Sequence, residues 1–378
     1  MRILHTSDWH LGRSFFGVDQ HDVHARFLDF LVDTVAAERI DAVLVSGDVY
    51  DRAIPPQESL ELFDTAVGRL LAAGTRVVVS SGNHDSFMRL GMGRGLVDTA
   101  GLHLRTRLSD ITWPVPLGTA GPPEAVVYAI PYLEPALVHS RFGVERTHTA
   151  VLGAAMERIR EHAGTHHPGV PLLVMAHAFV SGAVGSESER DIGTGGVGVV
   201  PAAVFDGADY AALGHLHRPQ SVTPTVRYSG SPVPLSFTEA LTPKHLVLLD
   251  VTAAGIDASE LPIPAFSRIE TLRGTFAEVL ASAAGHAEAL VAVELTDAER
   301  VDGALGRLRA VLPGLIKLGY VHAPAPAALQ VPDAATAAAR TDTEVFAAFV
   351  DDVSGRPARP GERTRFETAL AAARREDA

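Results

Sequence analysis

The sequence predicts an α/β fold of layered sheets, on three observations. Short runs of β-branched and aliphatic residues alternate with helix-spaced apolar stripes over the first two-thirds of the 378 residues. Those runs end in small clusters of Asp, Asn, His and Gly, as strands do when a site sits at the carboxyl ends of a sheet. No apolar run reaches the ~18 residues that a membrane-spanning helix needs.

Taken in order, strands are expected at 2–6, 42–46, 76–80, 126–130, 172–176, 210–213 and 246–251, each a short apolar run bounded by turn-forming residues. Helices are expected at 24–38 and 57–73, the second with Leu60, Phe63, Val67, Leu70 and Leu71 on one stripe. After Pro262 and Pro264 the register changes. A strand at 267–273, a helix at 275–283 and the alternation of Val291, Val293 and Leu295 come first. A stripe of Val301, Leu305, Leu308 and Leu312 and a strand at 315–321 follow. This β-α-β-α-β unit makes a small second domain. Residues 323–340 are rich in Ala and Pro and read as a linker. Beyond them Phe346, Phe349, Val350 and Val353 form a helical stripe, and Phe366 with Leu370 begins another after Pro360. Such a pair has little core of its own, so it either folds back on the second domain or docks on a partner.

Composition limits the function classes. The chain has no Cys, which excludes disulfides and thiolate zinc sites and is compatible with a reducing cytosol. Asp8 is a candidate ligand, which leaves no room for a signal peptide before the first strand, and a cytoplasmic protein is expected. The net charge of -13 implies weak DNA binding by the chain alone, because non-specific affinity comes from Lys and Arg neutralising phosphates. Only Lys244 and Lys317 are lysines among the 32 basic residues; the rest are Arg, in keeping with a codon bias.

Five clusters carry the chemistry: Asp8-Trp9-His10, Gly47-Asp48-Val49-Tyr50-Asp51, Gly82-Asn83-His84-Asp85, His177, and Gly214-His215-Leu216-His217. Period-two alternation points Asp8 and His10 the same way from one strand tip, and His215 and His217 the same way from another. Two such pairs can face one metal ion from both sides. Asp48, central in the series and following the apolar run 42–45, is the natural bridge between two ions. A metal pair ~3.5–4 Å apart lowers the pKa of water and neutralises phosphoryl oxygens, which phosphodiester hydrolysis demands. Imidazole, carboxylate and an Asn carbonyl without thiolate favour manganese (Mn2+), with Fe2+ or Zn2+ as alternatives, over calcium or magnesium. Isolated histidines such as His5, His103 and His245 read as surface or satisfied core residues.

The motif order D-x-H, G-D-x-x-D, G-N-H-D, H and G-H-x-H resembles that of the calcineurin-like metallophosphoesterases. The longer wording at 1–12 (MRILHTSDWHLG), 47–56 (GDVYDRAIPP), 212–220 (ALGHLHRPQ) and 228–237 (YSGSPVPLSF) is similar to the SbcD family, the nuclease subunits of bacterial SbcCD complexes. The resemblance covers nearly the whole chain and is strongest over 1–240. It implies a two-sheet metallophosphoesterase sandwich flanked by helices at 1–262 and a small α+β capping domain at 263–322. After the linker, helices at 341–378 would dock on an SbcC-type ATPase.

The resemblance also implies roles. Asp8, His10, Asp48 and His217 would hold one ion, and Asp48, Asn83, His177 and His215 the other. His84 would steady the phosphorane and protonate the leaving oxygen, with Asp85 fixing its tautomer, and water would be the nucleophile. Asp51 is either an acceptor for a ligand histidine or a turn residue before Pro55-Pro56. Trp9 either stacks on a base or packs. Arg52, Arg89, Arg94, Arg190 and Arg218 lie near motif loops as candidate phosphate contacts. Gly193 to Gly198 (GTGGVG) lacks the strand-turn-helix setting of a nucleotide loop.

The implied function is an ATP-dependent double-strand 3′–5′ exonuclease and single-strand or hairpin endonuclease, acting in DNA recombination, replication and end processing. It would work on double- and single-stranded DNA as a homodimer within a heterotetramer, with no membrane. No GxxxxGK[ST] motif occurs, so ATP dependence must come from the partner. A small-molecule phosphodiesterase with the same metal core is the alternative, and a non-catalytic subunit bridging DNA ends a further one.

Overall fold

Strands form at the apolar runs, and period-two alternation decides which layer each side chain joins. In the computed structural model, which describes residues 1–118, 121–189, 198–321, 341–354 and 356–376, the chain divides into Met1–Glu270 and Thr271–Ala378. The strands of the first unit are β1 (Arg2–Thr6), β2 (Ala42–Ser46), β3 (Arg76–Ser80), β4 (Leu102–Arg105), β5 (Val115–Leu117) and β6 (Ala125–Ala129). They continue with β7 (Leu172–His177), β8 (Tyr210–Gly214), β9 (Gln220–Ser221), β10 (Val226–Tyr228), β11 (His245–Thr252) and β12 (Gly255–Pro262). Two six-stranded sheets result, ordered β12-β11-β1-β2-β3-β4 and β9-β10-β8-β7-β6-β5. Their central strands run parallel, with antiparallel neighbours at the β12 end of the first sheet, parallel pairing out to β4 at its other end, and antiparallel pairs at both ends of the second sheet.

Alternate residues serve two cores. Ile3, Ala42, Leu44 and Val78 of the first sheet meet Val127, Leu173, Met175, Tyr210 and Ala212 of the second in one buried layer. Leu4, Val43, Val45, Val77 and Val79 turn the other way, onto α1 (His21–Glu38) and α2 (Gln57–Ala72). Val126, Val174, Ala176 and Ala211 likewise turn onto α3 (Pro135–Phe142) and α4 (His148–His166). The order is helix, sheet, sheet, helix, as the sandwich expectation requires. In α2 the stripe is shorter than its spacing suggests: Val67 and Leu70 are buried, but Leu60 is 46% exposed. The first turn instead sets Ser59 against the loop at Gly12. Helix α4 carries a legible stripe of its own in Val151, Leu152, Ala155, Met156 and Ile159, and Thr147 caps it by accepting from the Ala150 N–H at 3.1 Å.

In the second unit β13 (Ile269–Gly274), β14 (Leu290–Leu295) and β15 (Leu315–Tyr320) form one sheet in that order. With α5 (Phe276–Ser282) and α6 (Ala304–Arg309) it encloses Phe276, Val279, Val291, Val293, Leu295, Leu308 and Leu312. Ala304 takes the inward place expected for Leu305, which is 40% exposed. The division of the chain falls within β13, later than Pro262. Helices α7 (Asp342–Ser354) and α8 (Pro360–Glu376) stack Phe346 on Phe366 with ring centroids 4.3 Å apart. Arg359 reaches to 3.8 Å from Glu299 of the small domain. The linker expected at 323–340 lies outside the described residues.

Candidate metal centre

The motif clusters meet because β1, β2, β7 and β8 end at one edge of the sandwich. Ser46 at the tip of β2 crosses between the sheets, its Oγ donating to the Ala212 carbonyl at 2.9 Å. The chain then leaves the strands in strained conformations: Asp8, His10 and Asp48 have φ of 53°, 46° and 50°, a left-handed region that non-glycine residues occupy at a cost. Neighbouring backbone holds them there. The Asp8 N–H donates to the Gly47 carbonyl at 3.1 Å and that of His10 to the Asp48 carbonyl at 3.0 Å. Two motif glycines are required for space: a Cβ at Gly82 would overlap the Asp48 carboxylate, and one at Gly214 would overlap the Ser46 carbonyl.

Two donor sets result, with Asp48 between them. His10 Nε2 lies 3.1 Å from His217 Nε2, and donor atoms of Asp8, His10 and His217 lie within 4.8 Å of one another. On the other side Asn83 Oδ1 lies 3.0 Å from His177 Nε2 and 3.3 Å from His215 Nδ1. Asp48 Oδ2 sits centrally, 3.4 Å from His177 Nε2, 3.6 Å from His10 Nε2 and 3.9 Å from His84 Nε2.

The His10–His217, Asn83–His177, Asn83–His215 and Asp48–His177 separations fit metal ligation. Two donors each ~2.1 Å from one ion, at tetrahedral to octahedral angles, stand roughly 3.0–3.4 Å apart. His177 donates its Nδ1–H to the Ser46 carbonyl at 3.0 Å, so its neutral form turns a lone pair on Nε2 toward the Asn83 oxygen. Two acceptors facing one another call for a cation between them, a metal ion or else a proton on Nε2. Charge balance makes the same demand: burial alone would lower His177, but Asp48 and Asp8 outweigh it and raise the imidazole to about 9. Burial pushes the Asp8 carboxyl up to about 6 against the pull of His177. Burial acts the same way on Asp48, but His177, His10 and His84 prevail and hold it well below the carboxylate range. His215 is driven well below the usual imidazole value by burial and by His177.

The remaining expectations sort by geometry. His84 is buried, its backbone N–H donates to Asp48 Oδ1 at 2.8 Å, and its Nδ1 lies 2.7 Å from the Asp51 carbonyl. That carbonyl sets the His84 tautomer, which corrects the role expected of Asp85. The Asp85 carboxylate instead accepts the N–H groups of Gly82, Val49 and Tyr50 at 2.9, 3.2 and 3.0 Å, and so staples two motif loops together. Asp51 places Oδ1 3.5 Å from His10 Nδ1 and 3.6 Å from Arg13, a charge contact rather than a hydrogen bond, since His10 Nδ1 has no hydrogen-bond partner. Burial raises its carboxyl, but His10 and Arg13 outweigh it and leave it below the ordinary value. Trp9 packs: it is fully buried, lies edge-to-face with Phe27 at 5.9 Å and donates to Thr6 Oγ1 at 3.0 Å, so it has no face for a base. Arg94 is engaged with Asp110 at 3.3 Å and stands over Trp113, whereas Arg52, Arg89 and Arg218 are exposed. Arg190 and positions 193–197 of the glycine-rich stretch lie outside the described residues.

Sequence reasoning missed a group behind His217. Ser188 Oγ is 2.5 Å from His217 Nδ1 and donates to Glu239 Oε1. Glu189 Oε1 accepts the His217 N–H at 2.8 Å, and Lys244 Nζ lies 2.9 Å from Glu239 Oε2. Burial raises the Glu239 carboxyl, but His217 and Lys244 overcome it and hold the group far below its ordinary range. The available signal was the rarity of lysine, since a residue type used twice in the chain falls here. The stretch 228–237 explains itself in the same place: Ser229 Oγ lies 2.9 Å from Ser7 Oγ, which donates to Asp8 Oδ2 at 2.5 Å.

Residues 1–219 match the family model described as calcineurin-like phosphoesterase. A relative from Escherichia coli (strain K12), named as the SbcD component of the nuclease SbcCD, is 33% identical over 292 residues, covering 74% of this chain and 73% of its own. The chain belongs to the SbcD family of calcineurin-like phosphoesterases. Relatives of the same name from Rhodobacter capsulatus and Staphylococcus saprophyticus are similar to this SbcD-family chain. The first is 37% identical over 70% of this chain and 69% of its own, the second 26% over 84% of each. Residues 265–354 match a second family model, described as type 5 capsule protein repressor C-terminal domain.

Proposed function

We infer that this chain is the metal-dependent nuclease subunit of an SbcCD-type complex and hydrolyses phosphodiester bonds in DNA. The observation that carries this is Asp48, whose carboxylate stands between two donor sets in a buried site. In this reading Asp8, His10, Asp48 and His217 hold one Mn2+, and Asp48, Asn83, His177 and His215 hold the second. Bound there, two divalent ions supply Lewis acidity toward phosphoryl oxygens and make water a stronger nucleophile.

The protein does the rest. The strained tips of β1 and β2 fix the carboxylates, and the Ser46 and Asp51 carbonyls fix the tautomers of His177 and His84. As an imidazolium, with its Nδ1–H held by the Asp51 carbonyl, His84 turns Nε2–H toward the centre, gives that proton to the departing oxygen and is left as the neutral ring. General-acid catalysis of this kind contributes roughly 10²- to 10⁴-fold. Exposed Arg52, Arg89 and Arg218 contact flanking phosphates.

Partners follow from what the chain lacks and exposes. An SbcC-type ATPase supplies nucleotide-dependent gating of exonuclease action on duplex ends and endonuclease action at hairpins. Helix α7, which leaves Phe349 60% exposed, is its dock. Phe87, Met88, Met92 and Leu96 follow the GNHD loop and are 53%, 53%, 79% and 84% exposed, a patch suited to a second copy of the chain. Among the described residues no helix is long and apolar enough to cross a membrane, and action at the nucleoid is part of the proposal.

The test is cleavage of an end-labelled hairpin DNA with Mn2+, with and without the ATPase and ATP. Cleavage should require Mn2+ and rise with the partner, and His84→Ala should cut it by roughly 10²- to 10⁴-fold. Hydrolysis of an aryl phosphodiester without any DNA cleavage would assign the site to a small-molecule phosphodiesterase instead.

A further inference from the structure

We propose that Glu239 and Lys244, acting through Ser188, position His217 and thereby set the affinity of one metal position only, that of Asp8, His10, Asp48 and His217. The proposal rests on the two-metal reading above.

Three restraints converge on His217. Its Nδ1 lies 2.5 Å from Ser188 Oγ and 3.4 Å from Glu239 Oε1. With Ser188 donating onward to Glu239, the proton belongs on Nδ1, and Nε2 presents its lone pair toward His10 Nε2 at 3.1 Å. The opposite tautomer would put hydrogen where the ion binds. The His217 carbonyl accepts from Lys244 Nζ at 2.8 Å and from the Ser231 N–H at 3.1 Å. The His217 N–H is taken by Glu189 at 2.8 Å. Imidazole and N–H are thus tied to the neighbouring Ser188 and Glu189, and the carbonyl to Ser231 and Lys244.

The ion pair itself is buried, with Glu239 3% and Lys244 7% exposed. Desolvating two charges costs about as much as their attraction returns, so such a pair is poor evidence for stability and better evidence for geometry. Lys244 holds Glu239 in place, with Ser231 Oγ 2.9 Å from Nζ and the Leu235 N–H donating to Oε2 at 3.1 Å. Carboxylates behind metal-bound histidines act in this way, by fixing the tautomer and raising ligand basicity. The second donor set is built differently. His177 leans on a backbone carbonyl of β2, Ser46, at 3.0 Å, and takes nothing from Glu239. Damage to the network should therefore fall on one position.

The experiment is titration of the full chain with Mn2+, read by calorimetry and by the electron spin resonance that separates a coupled ion pair from an isolated ion. The wild type should bind two ions. Glu239→Gln and Ser188→Ala should keep one at wild-type affinity and weaken the other about 10- to 100-fold, with an isolated-ion signal at one equivalent, and Ser188→Thr should restore the pair. Ser188→Ala removes one hydroxyl from a half-buried residue, so it decides the matter if Glu239→Gln does not fold. Two ions at wild-type affinity in the folded variants, or equal weakening of both positions, overturns the proposal. A wild type that binds no pair of ions overturns the two-metal reading beneath it.

Discussion

His5 illustrates the cost of a titratable group between the sheets. Its Nδ1 lies 3.1 Å from the Tyr210 hydroxyl and its Nε2 3.1 Å from the Leu213 carbonyl, so the neutral ring is satisfied on both sides. Burial lowers its pKa from 6.5 to about 3. The unfolded chain takes up a proton here at a higher pH than the folded chain does. The stabilisation is therefore complete above pH ~6.5 and is lost as pH falls toward ~3. Between pH 7 and pH 5 the loss is on the order of 2 kcal/mol, at ~1.4 kcal/mol per unit. A His5→Gln variant lacks this titration, so its stability deficit against wild type should shrink over that interval in denaturant unfolding. A deficit that stays constant with pH would contradict the assignment. His5 was legible as a lone core histidine, but its partners lie on β8, far away in sequence, and no local pattern names them.

Loops at strand ends tolerate less than helices do, and a pair of glycines makes the contrast measurable. Gly214 ends β8 against β2, and a Cβ there would overlap the Ser46 carbonyl that also holds His177. Gly214→Ala should destabilise by more than ~3 kcal/mol, as steric and hydrogen-bond losses coincide, and should weaken Mn2+ binding. Gly68 lies inside α2 with nothing within 4 Å of an added Cβ. Gly68→Ala should instead stabilise by roughly 1 kcal/mol through helix propensity. Thermal melting of both variants decides: equal shifts would mean that close packing at the strand tips is not what selects Gly214. The period-two and helical patterns made most of these elements readable. Leu60 and Leu305 escaped because spacing gives a face, while the reach of the core decides how far along a helix that face is covered.

At the scale of the assembly, the run Phe87, Met88, Met92 and Leu96 is an exposed apolar surface that a lone chain leaves uncovered. Leu96→Asp with Met92→Asp should convert a dimer to a monomer in sedimentation equilibrium while leaving Mn2+ binding by the single chain unchanged. A wild type that is monomeric, or a double variant that still dimerises, would remove the patch as the dimer surface.

Much was determined by the sequence alone, because its rules are local. The alternation of apolar runs and stripes dictates layered α/β sheets, and the residues Asp8, His10, Asp48, Asn83, His177, His215 and His217 are recognisable by type and spacing at the strand ends. What the tertiary structure decided is which atoms face one another. It assigned the His84 tautomer to the Asp51 carbonyl and turned Asp85 into a staple for two loops. It closed Trp9 into the core, and it brought Ser188, Glu239 and Lys244 behind His217. Each of these depends on a contact between segments distant in the chain, a hydrogen bond or, for Trp9, packing on Phe27 and Phe63, and so has no signature in any short window of residues.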